Sequence, residues 1–268
     1  MFRHLWKALL DLLARIGLYR HHPNMTCRLC RQSKPLKSSH VVPEFMYQDM
    51  YDNKHRFFGL SSNSEAKELL KQKGLREPLL CADCEQQIGR YEWYASGVFY
   101  GGVPQERQRT GNLVQLSQLE YRPLKLFFLS LLWRMGITSI PELKGVELDK
   151  HEEVLRAMLQ REDPGSALDY PCMITAVMIE GKHVPDLIMH GGEASMDQQR
   201  VWSFVAAGFV FSFFERGKAV PIDVQSGFLS SNGAAILVVK DITEIHFLHE
   251  QLREIAEAKR QRDTNRQN

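Results

Sequence analysis

The stretch Leu79–Gly97, LLCADCEQQIGRYEWYASG, decides how this chain is read. It opens on Cys81 and Cys84, and from about Ala82 onward its apolar spacing is that of a helix. A CxxC turn lets two sulfurs point at one ion. A second such turn, CRLC, lies upstream at Cys27 and Cys30. Zinc takes four ligands in a tetrahedron and thiolates suit it, so the two pairs predict one structural zinc site of Cys27, Cys30, Cys81 and Cys84. Free thiols or an iron site are the alternatives. The 50 residues between the pairs exceed the gap of a compact zinc ribbon, so the site staples together two distant segments. Four thiolates leave no open coordination position. Such an ion stabilises a fold, and any chemistry has to sit elsewhere.

The bulk composition agrees with a folded protein. Over 268 residues, 44% hydrophobic and 25% charged content supports a buried core in one large domain or two modest ones. A net charge of +2 gives no case for a strong polyanion binder, yet leaves room for a local basic patch. Five cysteines are too sparse for a disulfide scaffold of this length. Two CxxC pairs instead indicate metal binding in a reducing compartment, the cytoplasm. The fifth, Cys172, reads as a small buried hydrophobe.

Around the cysteines the chain divides into three parts. Residues 1–22 carry Leu5, Leu9, Leu12 and Ile16 at helical spacing and predict an amphipathic helix. Asp11 and Arg15 break its apolar run too much for a membrane span. It would dock on its own domain, lie on a membrane surface or fill a partner's groove. Residues 23–100 form the zinc-binding module, in which Ser64–Lys73 predicts a short polar helix stopped at Gly74. Residues 101–268 form a C-terminal α+β domain whose role the sequence does not state. There, Leu124–Trp133 is apolar on nearly every side and predicts a buried helix, with Pro123 in its first turn and Gly136 at its stop. ELDKHEEVLRAMLQRED (147–163) predicts a surface helix. Strands follow at Met173–Ile179, Asp186–His190, Val201–Ala206, Phe209–Phe214 and Ala235–Val239, spaced as in an antiparallel meander. A helix from about Ile242 closes the chain, with Asp241 and Glu244 as an N-cap pair. The expected class is α+β with an antiparallel sheet.

In KSSHVVPEFM (Lys37–Met46) an imidazole precedes an extended apolar run. CRLC, then SHVVPEF, then LLCADCE leading into a helix together resemble an HNH-type nuclease module with a four-cysteine zinc site, over roughly residues 25–95. The resemblance implies a ββα-metal, treble-clef-like unit: zinc holds a hairpin to a helix, and a second, catalytic metal lies between them. His40 would then be the general base that activates water against a phosphodiester, a role that an imidazole titrating near neutrality suits. The chain departs from the motif at three places. Ser39 stands where the family often has Asp or His, Glu85 where it often has His, and Gly89 where it usually has a further ligand. Glu85 is the leading carboxylate replacement, with Glu92 and Glu44 as further candidates; carboxylate oxygens suit Mg²⁺ or Mn²⁺. Arg28, Arg31, Lys34 and Lys37 are placed to contact phosphates. Tyr91, Trp93, Tyr94, Phe99 and Tyr100 could stack on bases or pack the core. The implied function is metal-dependent cleavage of nucleic acid, DNA before RNA. The alternative is a catalytically inactive zinc module that binds nucleic acid or a protein partner.

Overall fold

The computed structural model describes residues 25–59, 69–196 and 199–267. The helix expected over residues 1–22 lies outside them. Strands β1 (Met25–Thr26) and β2 (Ser33–Lys34) pair around the first CxxC turn. The Cys27 N–H donates to the Gln32 carbonyl and the Arg31 N–H to the Cys27 carbonyl, with Arg31 at φ 61° closing the knuckle. β3 (Leu36–His40) leads into a 3₁₀ helix, Glu44–Met50, begun by Pro43. β4 (Arg56–Gly59) pairs antiparallel with β5 (Leu69–Gln72). This corrects the helix expected over Ser64–Lys73: its described end is a strand in which Leu70 lies opposite Phe58. Cross-strand pairing of apolar side chains outweighs local helical propensity there.

β6 (Arg76–Cys81) pairs antiparallel with β3, and α1 (Ala82–Tyr100) starts at the next residue. Then come β7 (Glu106–Thr110), β8 (Leu113–Ser117), α2 (Tyr121–Ile137) and α3 (His151–Gln160). The rest of the chain supplies β9 (Cys172–Ile179), β10 (Lys182–His183), β11 (Met189–Met196), β12 (Gln199–Ala206), β13 (Phe209–Phe214), the short α4 (Ile222–Gln225), β14 (Ala235–Asp241) and α5 (His246–Gln267). Asp241 and Glu244 do form a capping box ahead of α5.

Eight strands make one sheet in the order β11–β12–β13–β9–β14–β8–β7, with β10 paired to β9. The fold is thus α+β with a mostly antiparallel sheet. One correction concerns β14, which runs parallel to β9, so the expected meander holds only from β11 to β13. A second concerns β11, which starts at Met189 and continues through Gly191 and Gly192, a pair that reads as a turn. The register shifts there. The glycines admit a close approach: a Cβ on Gly145, at φ 128°, would lie 2.0 Å from the Gly191 carbonyl oxygen.

The largest apolar cluster runs from Leu29, Val42 and Leu80 beside the cysteines to Phe127, Trp133, Phe204 and Phe213 in the second half of the chain. Each such buried side chain contributes on the order of 1.5–3 kcal/mol. At its centre α2 is buried on all sides, including Lys125, Ser130 and Arg134. Burial lowers the Lys125 pKa to about 8, and its ammonium donates to the Tyr170 carbonyl at 3.1 Å. Between about pH 8 and pH 10.5 the unfolded chain holds a proton here that the folded chain has lost, so stability rises with pH across that window by about 3 kcal/mol. Denaturant melts at pH 7 and pH 10 measure this rise, and Lys125→Met is expected to remove it.

Candidate metal centre and the His40 cluster

The hairpin of β1 and β2, the end of β6 and the first turn of α1 bring the four paired cysteines together. All four sulfurs lie within 4.8 Å of one another, the only such group of metal-ligating side chains among the described residues. Cys30 Sγ and Cys81 Sγ are 3.9 Å apart. Sulfurs about 2.3 Å from a tetrahedral zinc are separated by about 3.8 Å, so the donor set fits such an ion. The Cys81 N–H donates to Cys27 Sγ at 3.3 Å. Burial acts to raise the Cys27 thiol and is outweighed by the N–H groups of Cys81, Cys30 and Leu29, which hold it below its ordinary value. Burial and the neighbouring sulfurs push the Cys84 thiol up. Four crowded sulfurs resist full ionisation unless a cation sits among them. The cluster could therefore hold a metal such as zinc, and Cys172 lies apart from it.

The cluster is gripped from outside. Arg28 pairs with Glu152 and Arg31 with Glu153, each at 3.2 Å, and Arg156 donates to the Leu29 carbonyl at 2.6 Å. All three contacts come from α3, which lies against the cysteine knuckle. Lys34 pairs with Asp83 at 2.8 Å, and Lys37 is exposed. Three of the four basic residues read as phosphate contacts thus have carboxylate partners within the chain. Among the aromatics of α1, Tyr91 and Tyr94 are buried, whereas Trp93 is 74% exposed.

Ser39 and His40 end β3 and are consecutive on the strand, so their side chains leave it on opposite faces. Ser39 is buried; it donates to Glu85 Oε2 at 2.6 Å and accepts the Leu80 N–H at 3.3 Å. Glu85 thereby sits in the first turn of α1, where the helix dipole favours an anion. It meets Ser39, not the imidazole. The carboxylate at the His40 ring is Glu44, with Oε2 2.5 Å from Nε2. Arg76 Nε donates to the same Nε2 at 2.7 Å. Glu44 also accepts the Tyr51 hydroxyl at 2.9 Å and lies 3.4 Å from His55 Nε2 and 3.5 Å from an Arg76 nitrogen. Burial, followed by the Arg76 charge, lowers the His40 pKa; Glu44 and Glu92 oppose this without reversing it.

Arg134, buried in α2, donates to the His40 carbonyl at 2.9 Å and to Glu92 Oε1 at 2.6 Å. A residue 94 positions along the chain thus fixes the backbone of the histidine and ties it to α1. Sequence reading left Arg134 and Arg76 unassigned. A signal for the first did exist: an arginine inside an otherwise apolar helix must find a partner there. Gly74 packs at the same place. A Cβ there would fall 2.6 Å from Tyr47 and 2.9 Å from the His40 ring. Gly74→Ala is expected to destabilise the chain by roughly 1–3 kcal/mol, because the buried Tyr47 has to shift. The expected companion result is a displaced His40 imidazole resonance in NMR spectra.

Among the described residues no helix is long and apolar enough to cross a membrane. Comparison with family models, with curated proteins and with solved structures found no match.

Proposed function

We propose that this chain is an HNH-type nucleic-acid endonuclease that hydrolyses phosphodiesters in the cytoplasm, with zinc in the four-cysteine site and His40 as general base. The observation that carries this reading is the trio of His40, Glu44 and Arg76: His40 and Arg76 face each other on paired strands whose other end reaches Cys81, and Glu44 opens the 3₁₀ helix that follows. A neutral imidazole offers a lone pair to water. In the resting arrangement the Arg76 N–H holds that lone pair. A phosphate competes for the guanidinium, because charge-assisted, forked bonds to an anion are stronger than one bond to a neutral ring. Substrate binding would thereby draw Arg76 off Nε2 and put a positive charge where the phosphorane develops its negative charge; for Nε2 to reach water, the Glu44 oxygen 2.5 Å away has to yield the same position. The proton taken from water then lies on the atom that faces Glu44, whose carboxylate stabilises the imidazolium.

The resemblance also implies a divalent cation, Mg²⁺ or Mn²⁺, which would polarise the phosphate. The residues present do not converge on such an ion. Glu85 is bonded to Ser39, Glu92 to Arg134, and Glu44 has the Arg76 guanidinium beside it. No step is therefore routed through it.

The test is incubation of the zinc-loaded protein with single- and double-stranded DNA and RNA, with Mg²⁺ or with EDTA, for wild type and His40→Ala. Cleavage by the wild type alone is the expected result. Intact substrates in every arm would favour the second reading, a non-catalytic zinc module that binds nucleic acid or a protein partner. The pairing of Arg28, Arg31 and Lys34 with carboxylates of the same chain speaks for the protein partner.

A further inference from the structure

A cavity of about 80 Å³ opens between the sheet and the two long helices of the core. Its walls are the end of α1 (Val98, Phe99), the start of α2 (Leu124, Phe128) and the neighbours Ile174 and Leu237 on the parallel strands β9 and β14. It shares no lining residue with the His40 cluster. Every other wall residue is apolar except Gly227, the Cys172 thiol and Arg107. Filled interiors have few voids, because each empty wall forfeits dispersion contacts. Ala235, Ile236 and Leu237 of β14 line the void and stay half-buried, although strands flank β14 on both sides.

Arg107 lies exposed on β7, at the rim. It donates one bond, to the Val98 carbonyl at 2.9 Å, and no carboxylate pairs with it among the described residues. Four of the five guanidinium donors are thus left for an incoming group. An apolar recess with one charged group at its mouth fits an amphiphile: the chain enters and the head stays in reach of the guanidinium. Size narrows the class. An engineered apolar cavity of about 150 Å³ takes the six carbons of benzene, and this one is about half that volume, which admits an aliphatic tail of about three carbons and no ring.

We infer that this cavity is a binding site for a short-chain aliphatic carboxylate, with the chain between the sheet and α2 and the carboxylate on Arg107. This site is separate from the proposed nuclease centre, and its test does not depend on cleavage. Calorimetric titration of the zinc-loaded full chain with butyrate is the direct measurement, with butylammonium and benzoate as comparators. Butyrate is expected to bind, and the other two to bind at least about tenfold more weakly. Arg107→Gln is expected to weaken butyrate by about tenfold or more. The turn itself should survive this change, since Gln105 Nε2 also donates to the Val98 carbonyl, at 2.8 Å. Ala235→Leu, which fills the recess, is expected to abolish binding. Absence of butyrate binding to wild type overturns the inference. So does equal binding by Arg107→Gln, or butylammonium binding as tightly as butyrate.

Discussion

Cys84→Ser is expected to purify without the zinc that the wild type is expected to carry and to lower the thermal midpoint by roughly 10–20 °C. The reason lies in what the cysteines connect. The knuckle between β1 and β2 is a two-residue pair of strands, too small to hold itself. Apart from the sulfurs, its attachments are surface ion pairs to α3, each worth about 0–1 kcal/mol, the Arg156 bond to the Leu29 carbonyl, a few backbone bonds, and the buried Leu29 side chain, worth on the order of 1.5–3 kcal/mol. A structural zinc supplies on the order of 10–16 kcal/mol in small peptides, comparable with the entire stability of a domain. Loss of about half of one such increment would free the knuckle while the eight-stranded sheet stays folded. Metal analysis and a melting curve check the first expectation, and limited proteolysis should place the new cleavages near Cys27–Gln32. A wild type that purifies without metal, and a variant that melts at the same temperature, would show that the cluster is held by packing alone.

His40→Ala is expected to reduce cleavage by at least about 100-fold with zinc content and melting point little changed. The pH dependence carries the sharper information. A general base works only when unprotonated, so activity should fall as pH drops through its pKa. Because burial and the Arg76 charge lower that pKa, the acid limb should lie below the ordinary value of 6.5. Removing the Arg76 charge relieves one of the two causes. Arg76→Gln should therefore shift the acid limb upward in pH, besides weakening the hold on phosphate. An acid limb that stays in place in Arg76→Gln would mean that the guanidinium does not act on the imidazole as its 2.7 Å contact implies.

How much of this was legible in the sequence varied with how local the cause was. The helix at Ala82 follows from its own spacing, and the buried helix around Leu124–Trp133 from its all-round apolarity. The convergence of Cys27, Cys30, Cys81 and Cys84 was legible because the sulfurs share one chemical need, which spans the long gap. The carboxylate beside His40 was not settled in advance. The resemblance pointed first to Glu85, but the alternation of side chains along β3 gives Glu85 to Ser39 and leaves the imidazole to Glu44, four residues on. Arg76 reaches His40 only because β3 and β6 pair in a register that sets these two residues opposite each other. The strand at Leu69–Gln72 and the parallel placement of β14 likewise depend on partners distant in the chain, and no local pattern encodes them.

The position of β14 has a consequence for biosynthesis. The hairpin of β7 and β8 joins the sheet through β14 alone, and β14 is the last strand to leave the ribosome. Until Ala235 emerges, β8 waits from the emergence of Ser117, and β9 from that of Ile179, each with an open edge beside a growing apolar surface. At roughly 5–20 residues per second this interval lasts several seconds, long enough for a nascent chain to need shelter by chaperones. The hairpin of β7 and β8 therefore joins the sheet late, and a stop codon shortly before Ala235 would release a chain with two unsealed strands in its middle.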